Sequence, residues 1–176
     1  MKIIAFGASS SKHSINKSFA EFTANQFSDA TIEVLDLNNY QLPLFSVDIE
    51  AEIGSPDVVK SFLTKIEEAD LLVISMAEHN GSYTVAFKNL FDWTSRLKMK
   101  LFEHKNIILL ATSPGPRGAI SVLEAAKNRF PIHGGTIIAS FSLPSFDSNF
   151  DSQKGITDAA LKQEFDAMIA TAKTKL

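Results

Sequence analysis

A hydroxyl-rich stretch follows the first apolar run of the chain and has the composition of an anion-binding loop. Residues 3–6 are apolar, Gly7 comes next, and a helical pattern begins near residue 15. The serines between them are Ser9, Ser10, Ser11 and Ser14. The first turn of a helix has unpartnered N–H groups and a positive dipole end, which favour a phosphate. The alternative is a polar turn in which Ser14 only caps the helix.

Two known phosphate-binding motifs are absent from this loop, and their absence limits which phosphate ligands it can bind. Neither GxxxxGK[ST] nor GxGxxG occurs, because Gly7 is the only glycine in the stretch. A dinucleotide therefore has no evident binding loop, whereas the phosphate of a mononucleotide does.

A second turn-rich stretch, Ala77-Glu78-His79-Asn80-Gly81-Ser82, leaves an apolar run and enters a helical pattern. Asn80 and Gly81 tolerate turn conformations, so the backbone could approach a planar ligand closely. The alternative is a helix-entry turn capped by Ser82. No partner for His79 can be identified, so no acid–base role is assigned to it.

A third stretch, Thr112-Ser113-Pro114-Gly115-Pro116-Arg117-Gly118-Ala119, combines two prolines with two glycines. Such a turn is rigid and has few side chains, which suits close approach to a flat ring. Arg117 stands near a helix start, where its charge opposes the helix dipole. That position indicates either an anionic partner or a plain exposed arginine.

Strand-like and helix-like patterns alternate along the chain, and each of the three loops lies between a predicted strand and a predicted helix. We predict strands at residues 2–6, 31–35, 71–75, 106–111 and 136–141, and helices at 15–27, 56–68, 85–97, 119–130 and 158–173. This alternation predicts a doubly wound α/β fold, a three-layer sandwich whose parallel sheet has the flavodoxin-like order 2-1-3-4-5. The loops would then converge at the carboxyl ends of the strands.

Composition limits the class of protein. The 176 residues are 45% hydrophobic, carry a net charge of −3 and include no cysteine. We expect one domain, 1–176, in the cytoplasm, with no nucleic-acid or membrane partner. Thiolate chemistry and cysteine-ligated metals are excluded, and the four histidines have no metal-site spacing. No GxSxG elbow or carboxylate pair indicates a hydrolase.

Two further segments have an expected structural role. Residues 38–55 are polar and rich in turn formers, which predicts a lid or interface loop. Residues Phe87, Leu90, Phe91 and Trp93 repeat at helical spacing. They are expected in the core, with a subunit interface as the alternative.

The three loops, in this order, resemble those of the NADPH-dependent FMN reductase family of flavodoxin-like proteins. The family's GSxRxxSxN loop corresponds to residues 8–16, with Ala8 for the glycine and Ser11 for the arginine. Its PEYNGSxPxxLKNxxDW motif corresponds to AEHNGSYTVAFKNLFDW at residues 77–93. Its SPGxxGG motif corresponds to residues 113–119, where Ala119 replaces the last glycine.

The resemblance implies noncovalent FMN, with its phosphate in the first loop and its ring between the other two. It also implies hydride transfer from NADPH or NADH through FMN to a flavin, quinone or azo acceptor, in a homodimer or homotetramer. No catalytic side chain and no metal are expected. The residues expected to bind the cofactor are Ser9, Ser11, Lys12, Ser14, Ile15, Asn16, Ala77, Glu78, His79, Asn80, Gly81, Ser113, Pro114, Gly115, Arg117 and Gly118.

Two alternatives stay open at this point. The first is a flavodoxin-like electron carrier without nicotinamide chemistry of its own, which is typically strongly acidic. The second is a flavin-free binding protein, because a fold does not determine a function.

Overall fold

A computed structural model describes residues 1–176. The architecture is a parallel sheet covered by helices on both faces. The main strands are β1 (Lys2–Ala8), β2 (Thr31–Leu35), β3 (Leu71–Met76), β6 (Asn106–Thr112) and β7 (Thr136–Leu143). They pair in the order β2-β1-β3-β6-β7 and every pair is parallel. Counted along the chain this is the order 2-1-3-4-5, so the predicted fold class is confirmed.

Short strands and helices complete the fold. The short strands are β4 (Glu78–His79), β5 (Ser82–Tyr83), β8 (Phe150–Asp151) and β9 (Gly155–Ile156). The helices are α1 (Ile15–Ala24), α2 (Val47–Ile53), α3 (Asp57–Glu68), α4 (Val85–Leu97), α5 (Ile120–Arg129), α6 (Phe146–Asn149) and α7 (Ala159–Lys173), with 3-10 turns at Leu37–Asn39 and Phe130–His133. None of these helices has the length and apolar content needed to cross a bilayer.

The core has two halves because the central strands are apolar on both faces, as parallel strands covered on both sides must be. Ile4 and Phe6 of β1 face one cluster, which includes Phe62 of α3 and Phe87 of α4. Alternate residues of β1 face the other cluster, which includes Phe19 of α1. Packing on both faces holds the strand ends rigidly, and with them the loops that follow.

Several predicted boundaries are corrected by the structure. The first strand continues to Ala8, so the loop after it begins at Ser9 rather than Gly7. The first helix ends at Ala24 and not at residue 27, because Asn25 caps it. Residues 78–83 form a β-hairpin, and the helix after it is capped by Thr84 rather than Ser82.

Residues 38–55 are more ordered than the predicted polar loop, since they include α2 and are held against α4. The Asn89 Oδ1 atom accepts a hydrogen bond from the Phe45 N–H at 2.8 Å. The Trp93 indole N–H donates to the Pro43 carbonyl at 2.9 Å. Trp93 is 1% exposed, so the aromatic stripe belongs to the core of the chain itself and not to a subunit interface.

Candidate functional site

The three sequence-predicted loops meet because the strands that precede them are neighbours. Ala8 at the end of β1 pairs with Met76 of β3, which pairs with Ala111 of β6. Their loops surround a cleft of about 280 Å³. The lining residues are Ser9, Ser11, His13, Ser14, Ile15, Asn16, Ala77, Glu78, His79, Thr112, Ser113 and Pro114.

The first loop contains both a helix cap and backbone N–H groups without partners. Ser14 caps α1, its Oγ accepting from the Lys17 N–H at 3.1 Å. The backbone N–H groups of Lys12, His13 and Ser14 have no partner within the protein. Those of Ile15 and Asn16 belong to the first helical turn, where intrahelical partners do not exist. The cap therefore leaves a run of unpaired donors available to an anion.

Gly7 lets this loop lie directly against the sheet. A Cβ atom at residue 7 would stand 2.3 Å from the Lys17 backbone nitrogen. Only a glycine permits this approach of β1 to the first turn of α1. The Lys17 ammonium also pairs with Asp36 after β2 at 2.7 Å, and this hydrogen bond lowers the pKa of the Asp36 carboxyl.

Asn16 ties the first loop to the other strands and is 3% exposed. Its Oδ1 accepts from the Ser75 hydroxyl at 2.7 Å and from the Thr112 N–H at 3.2 Å. Its Nδ2 donates to the Thr112 carbonyl at 3.1 Å. The side chain is thus occupied by the protein, which leaves the backbone of Asn16 as the part free to meet a ligand.

The second loop is a two-residue hairpin joining β4 and β5. Asn80 has φ 51° and Gly81 has φ 77°, the pair of positive φ angles that an Asn-Gly type I′ turn requires. Thr84 anchors the base of the hairpin. The Thr84 hydroxyl donates to the Ala8 carbonyl at 2.8 Å and accepts from the Phe87 N–H at 3.2 Å. The hairpin therefore stands fixed at one wall of the cleft.

Glu78 connects this hairpin to the third loop. Its Oε2 atom accepts from the Val122 N–H at 2.9 Å, in the first turn of α5. That helix has no side-chain cap of its own, because its N-cap residue is Ala119, and it has no acidic residue in its first turn. Glu78 therefore serves as its cap from another part of the chain.

The third loop is held against the end of β7. The Phe146 N–H donates to the Ser113 carbonyl at 3.0 Å, and the Ser142 hydroxyl donates to the Gly118 carbonyl at 2.7 Å. Gly118 has φ 58°, and a Cβ there would lie 2.3 Å from the Ser142 Oγ. Ala119 also has a left-handed backbone, at φ 60°, which is unfavourable for alanine.

The structure brings together ten of the sixteen predicted site residues and leaves six outside the cleft lining. The six are Lys12, Asn80, Gly81, Gly115, Arg117 and Gly118. Arg117 is exposed and its guanidinium donates to the Ser121 hydroxyl at 3.0 Å. Sequence reasoning missed His13 and Thr112 in the lining, although both stand within the loops that it identified. No group of three or more potential metal ligands occurs in the structure.

The sequence matches the NADPH-dependent FMN reductase family over residues 1–148. It is 30% identical to an uncharacterized protein of Mycoplasma pneumoniae, over 84% of this chain and 90% of that one. It is also 30% identical to the quinone reductase of Escherichia coli K12, over 67% of this chain but only 63% of that enzyme.

Among solved structures, the fold is similar to that of FerB, an NAD(P)H:(acceptor) oxidoreductase from Paracoccus denitrificans. The TM-score is 0.74 at 22% identity, covering 98% of this chain and 97% of that one. The likeness supports the fold, while the sequence match supports the family. The chain belongs to the NADPH-dependent FMN reductase family of oxidoreductases.

Proposed function

We propose that the protein is an NAD(P)H oxidoreductase that binds FMN noncovalently in the cleft at the carboxyl edge of its sheet. The run of unpaired backbone N–H groups before and within the first turn of α1 carries this proposal. These donors, with the cap position of Ser14, fit the phosphate of a mononucleotide. Family membership supplies the flavin as the mononucleotide to test first.

Each loop has its own part in holding the cofactor. The N–H groups of residues 12–16 and the hydroxyls of Ser9 and Ser11 would bind the phosphate. The backbone of Ala77 to His79 and of Ser113 to Pro114 would border the flavin ring. Lys12, Asn80, Gly81, Gly115, Arg117 and Gly118 would act by shaping these loops rather than by lining the cleft.

FMN, when bound, supplies the hydride chemistry between an NADPH or NADH donor and an electron acceptor. The protein orients it and needs no side-chain acid or base of its own. Flavins, quinones and azo compounds are the acceptor classes to compare.

A titration of purified, flavin-free protein with FMN tests the proposal. We expect FMN fluorescence to be quenched and the bound flavin to be bleached anaerobically by NADPH or NADH. Riboflavin is the matched ligand without the phosphate and should bind about tenfold more weakly or worse, because it loses charge-assisted hydrogen bonds. Absence of FMN binding, or equal affinity for riboflavin, would contradict the proposed site. FMN that binds but is not reduced would favour an electron carrier.

We also infer a homodimer or homotetramer. Leu44, Val47 and Val85 are 69%, 67% and 66% exposed, so their apolar surface is available for a subunit contact. Leu44 and Val85 border the same surface cleft, so they can form one apolar contact. Light scattering after size exclusion measures the mass directly. The cytoplasmic location stays a prediction.

A further inference from the structure

The cleft that would hold FMN has no permanent cation in its lining. Its 12 lining residues include no lysine and no arginine. Lys17, in the first turn of α1, is already held in an ion pair, and Arg117 of the third loop lies outside the lining. Only His13 and His79 in the lining can become cations. Because histidine gains or loses its proton between about pH 5 and 8, the charge that this cleft offers an anion depends on pH.

His13 is the histidine that lies beside the expected phosphate position. It directly precedes the Ser14 cap of α1, and its own backbone N–H is one of the unpaired donors of the first loop. The His13 side chain is exposed and takes part in no ion pair or side-chain hydrogen bond of the protein. His79 lies in the hairpin instead, whose backbone would border the flavin ring.

The other charged groups around the first loop leave the His13 ring free to respond to a ligand. Lys17 and Asp36 neutralise each other, and Glu78 is held by the first turn of α5. Lys12 is exposed and lies outside the cleft lining. The positive end of α1 disfavours a further positive charge on His13 in the absence of an anion. A phosphate dianion reverses this balance, so its binding would bring a proton to the ring.

We propose that His13 is the cation of the phosphate site, so that FMN binding depends on protonation of its ring. This inference rests on the proposed function, since it assigns a residue to the phosphate end of the same cleft. The family's loop has an arginine at the position of Ser11, and arginine stays charged. In this chain a histidine two residues later takes over that charge. FMN would therefore be held most tightly near about pH 6.5, where both the imidazolium and the phosphate dianion are populated.

Titration of the full chain with FMN from about pH 6.5 to about pH 8.5 tests the inference, with fluorescence quenching as the readout. We expect FMN to bind about three- to tenfold more weakly at the upper end, because an exposed charge pair has a modest effect. Riboflavin lacks the phosphate and should bind equally across the range. Equal affinity for FMN at both ends would overturn this inference and leave the proposed function intact. FMN that binds at no pH would overturn both.

Calorimetry in buffers of different ionisation heat gives a second readout, the protons exchanged on binding. FMN binding between about pH 7 and 8 should take up a fraction of a proton, because His13 becomes charged. The phosphate itself would release protons as its remaining monoanion becomes the dianion. The two effects have opposite signs, so proton uptake identifies a protein group. Absence of uptake in the unmodified protein would overturn the inference.

Substitutions at exposed positions identify the group that takes up the proton. His13→Gln should remove both the uptake and the pH dependence, whereas His13→Arg should bind FMN tightly and equally from about pH 6.5 to 8.5. His104→Asn is the matched control, because His104 is an exposed histidine outside the cleft and asparagine tolerates its φ of 61°.

Two neighbouring side chains are the rival sources of the charge. His79→Gln should keep the proton uptake, and Lys12→Gln should keep the pH dependence. If the uptake were lost in His79→Gln and retained in His13→Gln, the assignment to His13 would be wrong. It would also be wrong if Lys12→Gln weakened FMN binding equally at every pH while His13→Gln bound as the unmodified protein does.

Discussion

The cleft at the carboxyl edge and the region between α4 and α5 differ in which groups they leave unpaired. In the cleft, the buried side chain of Asn16 is paired within the protein, and the free groups are backbone N–H donors. Between α4 and α5, the unpaired groups are side-chain atoms buried in the protein, the Tyr83 hydroxyl and the His133 Nε2 atom. A site made from backbone tolerates residue exchange as long as the loop keeps its path. A site made from side chains depends on each residue type.

This difference explains why the departures from the family motif in the first loop are compatible with phosphate binding. Ala8 and Ser11 replace a glycine and an arginine, yet the N–H donors of residues 12–16 do not depend on either side chain. What they depend on is the contact between β1 and the first turn of α1. The strongest test of a backbone-built site is therefore to displace its backbone.

Gly7→Ala should have the largest effect, because its Cβ would meet backbone atoms that cannot rotate away. We expect a loss of about 3 kcal/mol in the free energy of unfolding and a severe loss of FMN binding. Urea denaturation and FMN titration measure the two effects. Gly115→Ala is the control, since its nearest atom would lie 3.8 Å away. Equal stability of the two variants would refute the close-contact argument.

Glu78→Ala should have an intermediate effect, because it removes the remote cap of α5. The expected loss is about 1 kcal/mol, with weaker FMN binding as the hairpin separates from the third loop. Glu78→Gln keeps an acceptor oxygen and should retain most of both properties.

Glu124→Ala provides the matched control on the same helix, because Glu124 forms only an exposed ion pair with Lys127. Thermal unfolding and FMN titration of the three variants give the comparison. If Gln at position 78 proved as damaging as Ala, the hydrogen bond would not be the cause.

Ser11→Arg should have the smallest effect. It tests what an added side-chain cation contributes to a site that otherwise consists mainly of backbone groups. Ser11 is exposed and borders the cleft, so a cation there adds attraction without rebuilding the loop. We expect FMN to bind about three- to tenfold more tightly at low salt, with the gain shrinking as salt rises. Ser10→Arg, just outside the cleft lining, should give less. Equal gains from both would mean that the effect is nonspecific.

Much of the fold could be predicted because its signals are local and repeated. The strands β1, β3 and β6 are mainly apolar runs, and the α4 bounds predicted from helical periodicity, 85–97, agree with the structure. The hairpin at residues 78–83 was missed although Asn80-Gly81 is a strong hairpin signal, because strands of two residues have too few positions to show alternation. Its absence from the prediction led to Ser82 being considered as the cap instead of Thr84.

The cleft that forms the candidate site could be predicted at the level of loops but not of every lining residue. Parallel strands place their following loops at one edge, so ten of sixteen residues came together without any knowledge of contacts. Arg117 could not be placed, because whether it meets a ligand or Ser121 depends on side-chain direction. Tyr83 and His133 belong to no shared motif, so no sequence signal showed that they would meet.

The amino-acid order alone determined the α/β class, the strand order and the hydroxyl-rich composition of the loop from Ser9 to Asn16. Those properties depend on periodicity and on residue types that act over a few neighbours. The tertiary structure decided that Asn16 is occupied by Ser75 and Thr112, that Glu78 caps α5, and that Tyr83 and His133 share a cavity. Each of these depends on groups more than 40 residues apart in the chain, whose meeting is set by packing on the two faces of the sheet.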